Sequence, residues 1–182
     1  MTAIVGLVEN GRVWIGADSA SVESDRLVCY PVKCEKVFIK GQFIYGFSQS
    51  FRSGQVLRYS FIPPKHPKQM DTTEYLSTLF VDCLRKTYEK AGYGGKDEEG
   101  ELGGHFVLGY NGKLFTMQDD YNVSESVDNY TAVGCADLAC FGSLYSTEGK
   151  FPEERIRMAL DAAKHFSGGV KEPFIIKSIK GE

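Results

Sequence analysis

The chain has 182 residues, 42% apolar and 25% charged, with a formal net charge of −3. That size suits one domain spanning residues 1–182, and that composition excludes a disordered chain. Acids and bases are interspersed, no apolar stretch is long enough for a bilayer, and no signal-peptide core opens the chain. The expectation is a cytoplasmic protein with no nucleic-acid and no membrane partner.

The first half reads as hairpins. Residues 3–8 form an apolar strand, Asn10-Gly11 is a two-residue turn, and residues 13–17 return. A polar, less regular stretch over 19–26 follows. A strand over 36–39, a Lys40-Gly41 turn and a return over 43–47 make the next hairpin. A helix over 52–59 starts after Ser48-Gln49-Ser50 and is ended by Ile62-Pro63-Pro64. Asp71 and Glu74 stand at capping-box spacing before a longer helix. Its buried face is expected to carry Leu76, Leu79, Phe80, Cys83, Leu84 and Tyr88, with Gly92 as the stop.

Residues 94–100 form a glycine-rich acidic loop. Gly94-Gly95-Lys96 is not a phosphate loop, because the motif's spacing is missing and Asp97 follows the lysine. Strands over 105–110 and 113–118 flank the Asn111-Gly112 turn, and residues 130–133 add another strand before Gly134. A helix over 137–145 comes next. Pro152, Glu153 and Glu154 open a last helix with Ile156, Leu160 and Ala163 on one face. Ser167-Gly168-Gly169 breaks it, and 174–179 is a closing strand. Strands, two helices, strands, two helices and a strand suit two packed sheets with a helix pair outside each. The first strand is then central, and its start opens into a cleft.

Five scattered cysteines (Cys29, Cys34, Cys83, Cys135, Cys140) contain no CxxC pair, which suits reduced thiols. His66, His105 and His165 are far apart, so no metal is implied. The residue with most chemical content is Thr2. A methionine before a small residue is commonly removed, and removal here would put a hydroxyl and a free α-amine on one residue. Such an amine titrates near pH ~7.7–8.0 and can serve as the base for its own hydroxyl. Pairing around Asn10-Gly11 brings Asp18 close to Thr2. Lys36 starts a strand, Gly46 ends the next, and Lys33 competes with Lys36 for the role of nearby cation.

In this combination the chain resembles the proteasome-like N-terminal-nucleophile hydrolases, including the peptidase subunit of HslUV and phage proteasome-like proteins. Met1-Thr2, Ala17-Asp18-Ser19, Lys36-Val37-Phe38, Gly46-Phe47-Ser48, Ala132-Val133-Gly134 and Pro152-Glu153-Glu154-Arg155 fall in family order across nearly the whole chain. The resemblance implies a four-layer αββα sandwich. It implies a threonine peptidase with Thr2 as nucleophile, Lys36 lowering the hydroxyl pKa, Asp18 holding Lys36, and the Gly46 N–H stabilising the oxyanion. Ser21, Tyr45, Phe47 and Ser48 are expected to shape the substrate pocket. The implied setting is a homo-oligomeric ring acting on polypeptides, with an ATPase unfoldase as a partner and no cofactor.

The chain departs from the pattern at Cys135, where a serine is frequent. It departs again at Lys164-His165-Phe166-Ser167, where an aspartate often precedes the Ser-Gly pair. Cys135 is read as a supporting residue rather than a second nucleophile. Two alternatives stay open: a degenerate subunit that assembles without cleaving, and a hydrolase of small acyl amides.

Overall fold

A computed structural model of the chain describes residues 1–23, 26–29, 35–94, 96–97, 100–101 and 103–181. Alternation along the first strand, β1 (Ala3–Glu9), sets the architecture. Ala3, Val5 and Leu7 enter one apolar cluster, while Ile4 enters another, following the two-residue period of a strand. β1 is thus covered on both faces. It lies between β2 (Arg12–Ala17) and β12 (Tyr130–Gly134), with β13 (Ile175–Lys180) beyond β2, in a four-stranded antiparallel sheet. Asn10 and Gly11 both take positive φ, 50° and 69°. That turn twists with its strands and fixes the pairing from Ile4↔Ala17 to Glu9↔Arg12.

The second sheet has five strands in the order β11 (Val123–Glu125), β10 (Lys113–Met117), β9 (Phe106–Tyr110), β6 (Phe43–Phe47) and β5 (Val37–Lys40). Ile4, Val13, Ile15, Val37, Ile44, Val107, Leu114 and Val133 fill the space between the sheets. On the outer face of the five-stranded sheet lie α1 (Phe51–Tyr59), α2 (Thr72–Tyr75), a π-helical turn (Leu76–Phe80) and α3 (Val81–Lys90), over a core rich in Phe and Tyr. On the other outer face lie α4 (Asp137–Ser146) and α5 (Pro152–Phe166). Three apolar layers between four structural layers make the αββα sandwich expected from the sequence.

Several elements differ from the sequence reading. The stretch expected to be irregular after residue 19 forms a two-stranded ribbon, β3 (Ala20–Glu23) with β4 (Arg26–Cys29). Part of the acidic loop pairs as β7 (Lys96–Asp97) with β8 (Gly100–Glu101). β11, three residues long and mostly polar, gave no periodic signal. Asp71 does cap its helix, accepting from the N–H groups of Thr73 and Glu74. The π-helical turn then shifts the phase of the helix face. Leu79 becomes exposed and Val81 takes a buried place. Lys33 and Cys34 lie outside the described residues.

Candidate active site

The parity of three strands aims side chains into one end of the cleft between the sheets. Thr2 is in phase with Ile4 on β1, Ser48 with Ile44 and Gly46 on β6, and His105 with Val107 on β9. Ile4, Ile44 and Val107 face the opposite sheet, so the residues that continue their rows reach the mouth of that layer. Asp18 follows β2 and continues its ladder: its N–H donates to the Ala3 carbonyl at 3.3 Å. Lys36 immediately precedes β5, on the facing sheet, and its carbonyl accepts from the Phe47 N–H at 3.0 Å.

These placements bring Thr2, Asp18 and Lys36 together. Lys36 Nζ donates to Thr2 Oγ1 at 3.0 Å and to Asp18 Oδ1 at 2.7 Å. The same Asp18 oxygen accepts from the Ala3 N–H at 3.0 Å. Its other oxygen accepts from the N–H groups of Ala20 at 2.8 Å and Lys171 at 3.4 Å. Both carboxylate oxygens are thus fully engaged by donors, and all three side chains are buried. Burial pulls the Lys36 ammonium below its ordinary pKa, and the charge of Asp18 and its hydrogen bond oppose that shift.

β12 fixes the position of Thr2 from the other side. Cys135 N–H donates to the Thr2 carbonyl at 3.0 Å. Gly134 has φ +113°, and a Cβ built there would stand 2.0 Å from that carbonyl oxygen. Only glycine permits both the dihedral and the approach. Cys135 Sγ lies 3.6 Å from the Thr2 carbonyl and 3.4 Å from Ser167 Oγ. Met1 is present, so the Thr2 nitrogen is an amide. Thr2 Oγ1 donates to the Met1 carbonyl at 2.7 Å, and a Cβ at Gly169 would meet the Met1 side chain.

A cavity of about 320 Å³ opens here. Met1, Thr2, Gly134, Cys135 and Asp137 line it on one side, and Ser48, Gln49 and His105 on the other. A larger groove of about 1200 Å³ has Phe43, Tyr110 and Ile179 in its walls. It lies at the opposite strand ends, away from Thr2. Among the described residues no group of His, Cys, Asp and Glu is placed to hold a metal ion, and no helix is long and apolar enough to cross a membrane.

Other residues singled out in the sequence sit elsewhere. Gly46 does not line the cavity: a Cβ there would meet Ile4 and Ile15 at 2.6 and 2.7 Å, inside the core between the sheets. Ser48 N–H donates to the His105 carbonyl at 2.9 Å. The two-residue alternation of the ladder therefore turns the Gly46 N–H toward β9, opposite Val107. As an oxyanion donor Gly46 is corrected by this geometry, since its N–H is turned into the sheet. Tyr45 and Phe47 have the opposite parity from Ser48 and pack beneath the outer helices. Phe47 meets the Phe51 ring at 5.7 Å between centroids. Their expected place in the substrate pocket is corrected likewise. Ser21 is buried on β3 and is not among the residues lining the cavity. Gln49, His105 and Asp137 line the cavity without having been singled out. Strand parity carried one step past Val107 would have found His105.

No family model matches the sequence, and no curated protein matches it. Solved structures do. The BPH of Thiobacillus denitrificans superposes with a TM-score of 0.82 at 17% identity, over 100% of this chain and 99% of that one. The same protein in complex with epoxomicin gives 0.81 at 16% identity, over 100% of both chains. The eukaryotic HslV of Trypanosoma brucei gives 0.69 at 14% identity, over 98% of this chain and 99% of that one. With two antiparallel sheets, an outer helix layer on each side and the first strand in the middle, the chain has the proteasome-like N-terminal-nucleophile hydrolase fold.

Proposed function

We propose that the chain is a threonine-type peptidase subunit of a self-compartmentalised, proteasome-like assembly, with Thr2 as nucleophile once Met1 is removed. One observation carries this reading: a buried ammonium, clamped by a carboxylate, donates to the hydroxyl of the second residue. Thr2 Oγ attacks the peptide carbonyl, and its proton passes to the freed α-amine. Lys36 stabilises the oxygen as negative charge develops on it, and Asp18 keeps that ammonium aimed. The amine gives the proton to the leaving nitrogen, and water then hydrolyses the ester on Thr2. A structure of the same fold, the Thiobacillus denitrificans BPH, is in complex with epoxomicin, which supports a threonine protease. Assembly into a ring and service by an ATPase unfoldase belong to the same proposal.

Intact mass with a peptidyl electrophile tests the reading. The expected result is loss of Met1 and one adduct per chain, absent in Thr2→Ala. Peptide cleavage that survives Thr2→Ala overturns it. A second reading is a subunit that assembles without cleaving, in which the Met1 carbonyl keeps accepting from Thr2 Oγ1. Retention of Met1 in the purified protein decides for it. A panel of acyl amides beside peptides separates peptidase from small-amide hydrolase.

A further inference from the structure

The cavity beside Thr2 needs a donor for the oxyanion, and Gly46 is turned away from it. The loop that carries Ser48 over the cavity has an unusual feature one residue later. Gln49 takes φ +62°, although it has a side chain. Left-handed backbone is uncommon for residues other than glycine and is kept where surrounding structure enforces it. Its side chain is tethered: Gln49 Nε2 donates to Asp119 Oδ2 at 2.9 Å. Asp119 is itself anchored. Its carbonyl accepts from the Gly103 N–H at 2.6 Å, in the turn that joins β10 to β11. Among the described residues its Oδ1 is buried without a partner, so the Gln49 amide is the side-chain contact that this carboxylate makes.

Several neighbouring N–H groups already have acceptors. Ser48 donates to His105, and Arg52 and Ser53 donate to the Ser50 side chain at the start of α1. Among the described residues the Gln49 N–H meets no protein acceptor, and Gln49 lines the cavity that holds Thr2. Resting on the peptidase reading above, we propose that the backbone N–H of Gln49 is the oxyanion donor and that Asp119 is the positioning residue that holds it there. The tether replaces the conformational freedom that a glycine would supply at this point. Asp119 touches no substrate; it acts through the Gln49 side chain on the backbone.

The test uses the full chain with Met1 removed and the variants Asp119→Ala, Asp119→Asn, Gln49→Gly and Gln49→Gly/Asp119→Ala. Outright loss of an oxyanion donor costs ~10²–10³ in rate, so a loosened donor is expected to cost at least about tenfold in kcat, with KM changed less than about twofold. Asp119→Asn keeps an oxygen that accepts from Gln49 and is expected to recover most of that loss. In the Gln49→Gly background the effect of Asp119→Ala is expected to shrink below about twofold, because glycine adopts positive φ unaided. An unchanged kcat in Asp119→Ala, or an equal loss in both backgrounds, overturns the proposal. A crystal structure of Asp119→Ala supplies a readout independent of turnover. Residue 49 still at positive φ with its loop unmoved rejects the tether. Absence of Thr2-dependent turnover in the unsubstituted chain sinks the peptidase reading and the oxyanion role, and the φ of residue 49 then judges the tether alone.

Discussion

Lys36 and Asp18 form an ion pair of 2.7 Å whose side chains are 3% and 0% exposed. The Asp18 oxygen that holds the ammonium also holds the N–H of Ala3, next to Thr2 in the chain. One atom therefore sets the distance between the cation and the start of β1. A buried ion pair contributes little net stability compared with apolar residues of the same size. Its presence here fits a functional rather than a stabilising role.

Removing the carboxylate separates those two effects. Asp18→Ala leaves Lys36 buried with no counter-charge and leaves the N–H groups of Ala3 and Ala20 without their acceptor. Breaking a buried pair from one side costs about 3–5 kcal/mol. Urea unfolding is expected to show that loss, together with peptide turnover near zero. A midpoint within experimental scatter of the parent chain would show that Asp18 does not hold this end of the sheet.

The pH dependence has two limbs of opposite origin. Below about pH 8 a freed Thr2 amine is increasingly protonated and cannot act as base, so kcat/KM is expected to rise with pH through ~7.7–8.0. Lys36 sets the other limb. Burial lowers its pKa below the ordinary lysine value of 10.5 against the pull of Asp18, so the ammonium is lost, and activity falls, before that pH is reached. Stability moves the other way in this window. There the unfolded chain binds the Lys36 proton while the folded chain does not, so unfolding becomes costlier as pH rises. Lys36→Arg replaces the titrating cation with one that stays charged. Any activity that variant retains is expected to lack the alkaline limb, and a limb that persists would exclude Lys36 as its source.

The fold was legible because period and punctuation agree. The Asn10-Gly11 and Asn111-Gly112 turns, the Asp71 cap and the Pro152 start each mark an element edge by local chemistry. What failed were elements set by tertiary context: the ribbon of β3 and β4, three-residue β11, and the π-helical turn that exposes Leu79. Thr2, Asp18 and Lys36 could be placed together because two hairpins, one from each sheet, bring them to one end of the cleft between the sheets. The oxyanion assignment failed for a different reason. A glycine at a strand end reads the same whether it clears space for a substrate or for Ile4 and Ile15. Gln49 carried no signal at all, since a left-handed glutamine held by a remote aspartate has no mark in local sequence.

Gly134 gives a steric test of how tightly Thr2 is held. A methyl group at this position would stand 2.0 Å from the Thr2 carbonyl oxygen and 2.8 Å from its carbon, both backbone atoms. The φ of +113° adds strain of about 1–3 kcal/mol for any other residue. Gly134→Ala is therefore expected to displace Thr2 and to lower the rate of adduct formation with a peptidyl electrophile far more than it lowers the melting temperature. By contrast, Gly142 has open space around its Cβ position on α4. Gly142→Ala is the matched control, expected to leave both measurements near the parent values. Equal effects of the two substitutions would mean that the Thr2 carbonyl can yield.

Cys135 distinguishes a supporting role from a competing nucleophile. Its N–H contact to the Thr2 carbonyl is backbone and survives substitution, whereas Sγ makes the contacts at 3.6 Å to that carbonyl and 3.4 Å to Ser167 Oγ. A thiol is a weak donor and a weak acceptor. A hydroxyl in its place gains of order 0.5–1 kcal/mol, and turnover is expected to rise by about two- to fivefold in Cys135→Ser. Cys135→Ala loses the side-chain contacts and is expected to fall by a similar factor while still forming the Thr2 adduct. Because the thiol and the Thr2 hydroxyl share one cavity, an electrophile can reach either. Peptide mapping locates the bond, and an adduct on Cys135 that persists in Thr2→Ala, with cleavage intact, would move the chemistry from the hydroxyl to the thiol.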